Sequence, residues 1–197
     1  MNPESTPAKV QLRRHLREIV RALPPDEIRA ASDAARGILR QQSVWRDAKA
    51  VLFYAPIPGE IDLWPLAREC WDSGRTVALP RFIAETGAYA AYEVTGAPEE
   101  CAAGKFGILE PARHCRPLPL KQLDFVLAPG VAFDQTGHRL GRGQGFYDRL
   151  LAQFNGIKCG VAFDQQLLPQ VPREAHDVRM NFILTPTRWL ETPGSHS

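Results

Sequence analysis

Residues 139–151 read Arg-Leu-Gly-Arg-Gly-Gln-Gly-Phe-Tyr-Asp-Arg-Leu-Leu. Glycines at 141, 143 and 145 let backbone N–H groups approach an anion because no Cβ stands in the way. Arg142 places a full positive charge among them. The spacing matches neither GxGxxG nor GxxxxGK[ST], so on the glycines alone an ordinary turn competes with a phosphate cradle. Two neighbours favour the cradle. Phe146, Leu150 and Phe154 recur at helical spacing, which sets the loop at a helix N-terminus, where unpaired N–H groups and the dipole favour negative charge. Asp148 is a hard oxygen ligand of the kind that holds magnesium beside nucleotide phosphates.

Other residues extend that chemistry. Lys9, Arg13 and Arg17 recur at i, i+4 and form a cationic stripe along one side of a helix. Such a stripe can be a plain solvated face. Laid across the edge of a sheet, it would instead let Lys9 and Arg13 reach polyphosphate oxygens, one as a point charge and the other as a planar fork. Asp177 follows a proline-marked turn and pairs naturally with Asp148 as a two-carboxylate magnesium site. Glu60, in Pro58-Gly59-Glu60-Ile61-Asp62, follows an apolar run and precedes a helix. Asp62 is the better cap there, which leaves Glu60 for a ligand. Tyr54, Trp64, Phe146 and Tyr147 are candidates for stacking on a planar ring. His15, His114, His138, His176 and His196 carry no catalytic pattern, and covalent acyl chemistry finds no GxSxG elbow or Cys–His signature.

The elements that must position these groups follow from periodicity. Leu12, Leu16, Ile19, Val20 and Leu23 share a helical face that Pro24-Pro25 ends. A second helix carries Ile28, Ala31, Ala35, Ile38 and Leu39, with Asp26 where an N-cap belongs. Apolar strands then alternate with helices: Val51 to Tyr54, Thr76 to Leu79, Phe125 to Ala128, Ile157 to Phe163 and Phe182 to Thr185, with a short alternating one at Tyr89 to Tyr92. A helix follows Asp62 and closes at Gly74. This order specifies an α/β chain with a largely parallel sheet covered on both faces. Ligands collect at the carboxyl edge of such sheets, where Glu60, the glycine loop and the Asp177 segment can meet. The stretch from Val94 to Leu123, rich in proline, glycine and charge, reads as a lid or a surface-hugging loop.

With 197 residues, 44% of them hydrophobic, the chain suits one domain spanning 1–197, with fraying expected at 1–8 and 192–197. A net charge of +2 demands neither nucleic acid nor a membrane surface as partner. Four scattered cysteines without a CxxC pair read as reduced thiols. No run approaches the roughly 20 apolar residues of a membrane span, and Met1 to Lys9 lacks the apolar core of a secretory signal, so the cytoplasm is the expected location.

Taken together, these segments resemble the 5-formyltetrahydrofolate cyclo-ligase family, also called methenyltetrahydrofolate synthetases. The resemblance rests on Lys9-x-x-Leu12-Arg13, Tyr54 through Glu60-Ile61-Asp62, Gly107 to Pro111, Pro129 to Asp134, Arg139 to Asp148 and His176-Asp177, in that order. It implies a three-layer α/β/α fold similar to sugar-phosphate isomerases and CoA transferases. It also implies an ATP- and Mg²⁺-dependent closure of 5-formyltetrahydrofolate to 5,10-methenyltetrahydrofolate, with ADP and phosphate released, in one-carbon metabolism. By the same resemblance Lys9, Arg13 and the loop Leu140, Gly141, Arg142, Gly143, Gln144, Gly145, Phe146, Tyr147 and Asp148 contact ATP. Asp148 and Asp177 hold the metal, while Tyr54, Glu60 and residues Gly143 to Tyr147 meet the folate. Lys9, Arg13 and Arg142 are the catalytic candidates, and the expected working form is a monomer on small-molecule substrates. Gln144, Phe146 and Asn181 depart from the family's usual residues. A sugar-phosphate isomerase-like enzyme and a nucleic-acid module are the competing readings.

Overall fold

The computed structural model describes residues 7–96, 100–172 and 177–193. Helix α1 (Pro7–Arg21) is followed by α2 (Pro25–Gln41) and the short α3 (Ser43–Asp47) before any strand. Strand β1 (Ala50–Leu52), α4 (Trp64–Asp72), β2 (Thr76–Ile83) and β3 (Ala88–Val94) come next. Two small strands, β4 (Cys101–Ala103) and β5 (Leu109–Pro111), precede β6 (Phe125–Pro129). A hairpin of β7 (Ala132–Asp134) and β8 (Arg139–Leu140) then leads into α5 (Phe146–Leu151). Strands β9 (Ile157–Val161), β10 (Leu167–Leu168), β11 (Phe182–Leu184) and β12 (Trp189–Glu191) complete the described chain.

Seven strands form one sheet in the order β12-β11-β9-β6-β1-β2-β3. Its five central members pair in parallel, and β12 and β3 close the two edges antiparallel. Alternation along the strands divides the core between two faces. Val51, Phe125 and Leu127 point to the face that packs Leu39 of α2, Trp45 of α3 and Leu66 of α4. Ala50, Leu52, Val126 and Ala128 point to the other, where Leu150 and Leu151 of α5 and Phe154 lie. The expected layered α/β architecture with a largely parallel sheet is therefore the one observed.

A second, three-stranded sheet in the order β10-β7-β8 has no counterpart among the expected elements. Its Val131, Ala132 and Leu140 pack against Leu16 of α1, with Leu12 and Ile19 alongside. Most of the apolar face of α1 lies against this small sheet, while Val20 joins the core of the large one. Phe133 joins the two sheets. Its ring is fully buried, and a Cβ at Gly130 would come within 2.6 Å of it, while one at Gly160 in β9 would overlap it.

Several boundaries move for identifiable reasons. Asp26 is not the N-cap of α2; Pro24 is, with Pro25 in the first helical position, where its missing N–H costs nothing. Asp26 lies in the first turn, where its charge complements the helix dipole and meets Arg29. Leu63 occupies the N-cap of α4, and Asp62 instead accepts a bond from Trp64 N at 2.8 Å. Phe53 and Tyr54 lie beyond β1, and Phe154 lies beyond α5. Pro7 and Ala8 are helical, and Thr192 is buried with its hydroxyl donating to Met180 O at 2.6 Å, so fraying does not reach these residues. The Val94 to Leu123 stretch contains the β4–β5 hairpin instead of being wholly irregular. Among the described residues no helix is long and apolar enough to cross a membrane.

Candidate active site

The glycine loop leaves β8 and enters α5 through two residues that need a positive φ: Gly143 at +100° and Gly145, the N-cap of α5, at +65°. An L side chain rarely adopts either value. Among the described residues, the backbone N–H groups of Gly141 to Gly145 donate to no protein acceptor. The loop carbonyls, by contrast, are held by α1. Arg13 Nε donates to Gly141 O at 2.8 Å, and Arg17 Nη2 reaches Arg142 O at 3.4 Å. Fixing the carbonyls this way leaves the amide side of the loop for a ligand.

Some of the expected residues meet at the carboxyl edge of the sheet. A cavity of about 330 Å³ opens there, lined by Tyr54, Glu60, Arg142, Phe146, Tyr147 and Asp148, among others, whereas Lys9, Arg13, Gly143 and Asp177 do not line it. Pro129 closes it from the end of β6. Its floor is aromatic: Phe146 meets the rings of Phe82 and Tyr89 edge to face at 5.2 and 5.4 Å. Tyr147 is partly buried, and desolvation, followed by the neighbouring Glu60, raises its phenol far above the ordinary value, so it is neutral. Tyr54 donates its hydroxyl to Ile61 O and shows only part of its ring to the cavity.

Three ion pairs organise the charges. Arg142 Nη2 lies 2.7 Å from Glu60 Oε1, and the other oxygen of Glu60 accepts from Ile57 N at 3.1 Å. Burial is the largest influence on Glu60 and pushes its carboxyl above the usual carboxylate value, against the opposing pull of Arg142. Arg139 Nη2 pairs with Asp148 Oδ1 at 2.6 Å and Nη1 donates to Pro129 O at 3.1 Å. Arg139 Nε is buried with no partner among the described residues. Lys9 is buried against Asp177, with Nζ 3.8 Å from Oδ2. On the far wall, buried Glu110 of β5 accepts from Phe82 N at 3.2 Å and Lys105 N at 3.3 Å, fastening the β4–β5 hairpin to β2.

Not every expected residue takes the expected place. Leu140 has its side chain in the core under α1, so only its backbone faces the loop. Trp64 packs edge to face on Trp71 and does not line the cavity. His138 is tied into a turn by Thr136, and His176 and His196 lie outside the described residues. Among the described residues no group of three or more His, Cys, Asp or Glu side chains is placed to hold a metal. A cation at Asp148 and Asp177 would take its other oxygens from water and a ligand. Each carboxylate is already ion-paired, Asp148 with Arg139 and Asp177 with Lys9, so a metal there would bind in competition with those cations. Arg139 and Glu110 escaped the sequence reading as site residues because their partners are distant in sequence or are main-chain groups; the Arg139-to-Asp148 and Gly107-to-Pro111 segments were their available signals.

Comparison with known proteins shows the family and the fold. The model of the 5-formyltetrahydrofolate cyclo-ligase family matches residues 5–186. The 5-formyltetrahydrofolate cyclo-ligase of Mycolicibacterium smegmatis is 33% identical over 96% of this chain and 98% of its own. That of Escherichia coli K12 is 31% identical over 89% and 99%, respectively. Among solved structures, the 5,10-methenyltetrahydrofolate synthetase of Aquifex aeolicus superposes with a TM-score of 0.84 at 34% identity, covering 94% of this chain and 93% of that one. The chain is an enzyme of the 5-formyltetrahydrofolate cyclo-ligase family.

Proposed function

We propose, with that membership as premise, that the chain closes 5-formyltetrahydrofolate to 5,10-methenyltetrahydrofolate at the expense of ATP, with magnesium required. The observation that carries this reading is the aromatic cavity at the sheet's carboxyl edge, bounded by a glycine loop with unused amides and by Arg142. A planar pterin suits the walls of Tyr89, Phe146 and Tyr147, and Glu60 is the polar group that orients its edge. The triphosphate suits the amides of Gly141 to Gly145 with Arg142, Lys9 and Arg13.

The formyl oxygen on N5 is a poor leaving group as it stands. Its attack on the γ-phosphorus of ATP forms an O–P bond and breaks the P–O bond to ADP. N10 then attacks the activated carbon, loses its proton, and the original oxygen departs with phosphate. No protein nucleophile is needed. The chain's part is to hold donor and acceptor in line and to offset the charge on the phosphoryl group, tasks for the loop amides, Arg142, Lys9 and Arg13. Asp148 and Asp177 would hold the magnesium, which supplies charge neutralisation on the phosphates. The reading is tested by incubating the protein with 5-formyltetrahydrofolate and Mg-ATP and following methenyltetrahydrofolate. Product must form with ATP and not without it; turnover that ignores ATP sinks the reading.

A further inference from the structure

Behind the Glu60–Arg142 pair lies a second cavity of about 270 Å³. Its walls are Arg17 and Arg21 from the second half of α1, the Ile57–Glu60 turn, and Gly130 and Val131 after β6. Ile57, Glu60 and Arg142 line both cavities, so their contact is the partition between them. The cavity is a built feature. Gly59 lets the turn approach α1 so closely that a Cβ there would sit 3.0 Å from Val20 Cγ1. Gln166 braces the opposite wall, donating to Gly130 O and Val131 O at 3.2 and 3.0 Å while accepting from Phe163 N at 2.8 Å.

The charge balance of this space is one-sided. Three guanidinium groups, Arg17, Arg21 and Arg142, face one carboxylate, Glu60. Arg17 is lowered from its ordinary value by burial first and then by Arg142 and Arg21, the mark of like charges held near one another. Planar forks gathered around a concave polar space match the tetrahedral oxygens of a phosphoryl group. An anion there would compete with Glu60 for Arg142, whose guanidinium is about half exposed and bound to a single carboxylate oxygen.

We propose that the Arg17–Arg21–Arg142 cavity binds a phosphoryl anion and that its occupancy draws Arg142 off Glu60, freeing that carboxylate for the ligand of the aromatic cavity. Because one ion pair is broken for two ligands, whichever binds first removes a cost the second would otherwise meet, and the two sites are positively coupled. The anion chemistry of the cavity stands independently of the proposed function; the coupling to folate rests on it. The phosphoryl group can belong to the nucleotide or to free phosphate.

The test titrates the full chain with inorganic phosphate by phosphorus NMR and with ATP and ADP by calorimetry, in wild type and in single variants. Arg17 and Arg21 are exposed, so Arg17→Gln and Arg21→Gln should melt as wild type does. Each is expected to weaken phosphate binding about tenfold, the loss of one charge-assisted hydrogen bond. Glu60→Gln, which releases Arg142 beforehand, should tighten it several-fold, and Glu18→Gln, an equal change of net charge on α1, should leave it unchanged. Competition between ATP and phosphate, with ADP indifferent to Arg17→Gln, identifies the nucleotide's terminal group as the occupant. Simultaneous binding identifies free phosphate. Unchanged phosphate and ATP affinities in both arginine variants overturn the site, and equal tightening by Glu18→Gln and Glu60→Gln overturns the coupling. If ATP fails to bind wild type while phosphate binding depends on Arg17, the nucleotide-dependent function falls and the anion site stands.

Discussion

The two ends of the β7–β8 hairpin are built from similar small and polar residues but satisfy them oppositely. At the turn, the buried Asp134 carboxylate accepts from Thr136 N at 2.9 Å, Thr136 Oγ1 at 2.6 Å, His138 N at 3.1 Å and Val171 N at 3.1 Å. Burial alone would raise that carboxyl, yet bonds from Thr136, Val171 and His138 hold it below the ordinary value. At the other end, the amides from Gly141 to Gly145 have no acceptor among the described residues, and Arg142 leans outward to Glu60. A hairpin that answers most of its donors at one end anchors the structure there, and the end that leaves them open is where a ligand is met.

The contrast breaks if substitutions at the two ends act alike. Arg142→Ala should reduce kcat by about 10²-fold or more, as for a group that stabilises mainly the transition state, with a melting temperature close to wild type. Equal loss of turnover and stability would make Arg142 structural. Asp134→Ala should do the reverse, costing on the order of 3 kcal/mol in urea unfolding because several buried donors lose their acceptor, while kcat of the folded enzyme stays near wild type. Its pH signature has a defined sign. Asp134 stabilises the fold at pH values above its unfolded pKa, and that share disappears as pH falls through its lowered folded value; the variant should lose this acid-side slope.

A smaller effect sharpens the loop end. Gly143→Ala forces a side chain onto a φ of +100° and should cost about 1–2 kcal/mol of stability. Nucleotide affinity measured by calorimetry should fall alongside, since the new Cβ lies 3.4 Å from Arg13 Cζ. Smallest is Glu60→Gln. With its folded pKa raised, Glu60 favours the fold below the ordinary carboxylate pKa and loses that contribution as pH rises through the raised value. Thermal melts of the variant should therefore vary less across that window and match or exceed wild type at pH 7.

The parts of the site legible in the sequence are those with local signals. The glycines, Asp148, Glu60 after an apolar run and the α1 stripe all announce themselves within a few residues, and the alternation of apolar runs and helices prescribes the large sheet. Strands of two and three residues, such as β8, β10 and β7, are too short to show a period, so the small sheet under α1 stayed hidden. The same limit hid the β4–β5 hairpin within its proline-rich stretch. Arg17 was visible as charge, but its approach to Arg142 spans 125 positions of chain, and no local pattern encodes such a meeting. Asp26 looked like a cap by residue type, whereas the preceding prolines fixed the helix start earlier.

The Phe133 ring works as a dowel. Seated in a slot that exists because residues 130 and 160 lack side chains, it pins the small sheet to the large one and removes their freedom to slide. Whatever yielding the catalytic edge undergoes around its cargo must take place beyond that fastener, in the five residues between β8 and α5, and a bulkier residue at 160, although 27 positions along the chain from Phe133, would loosen the whole joint.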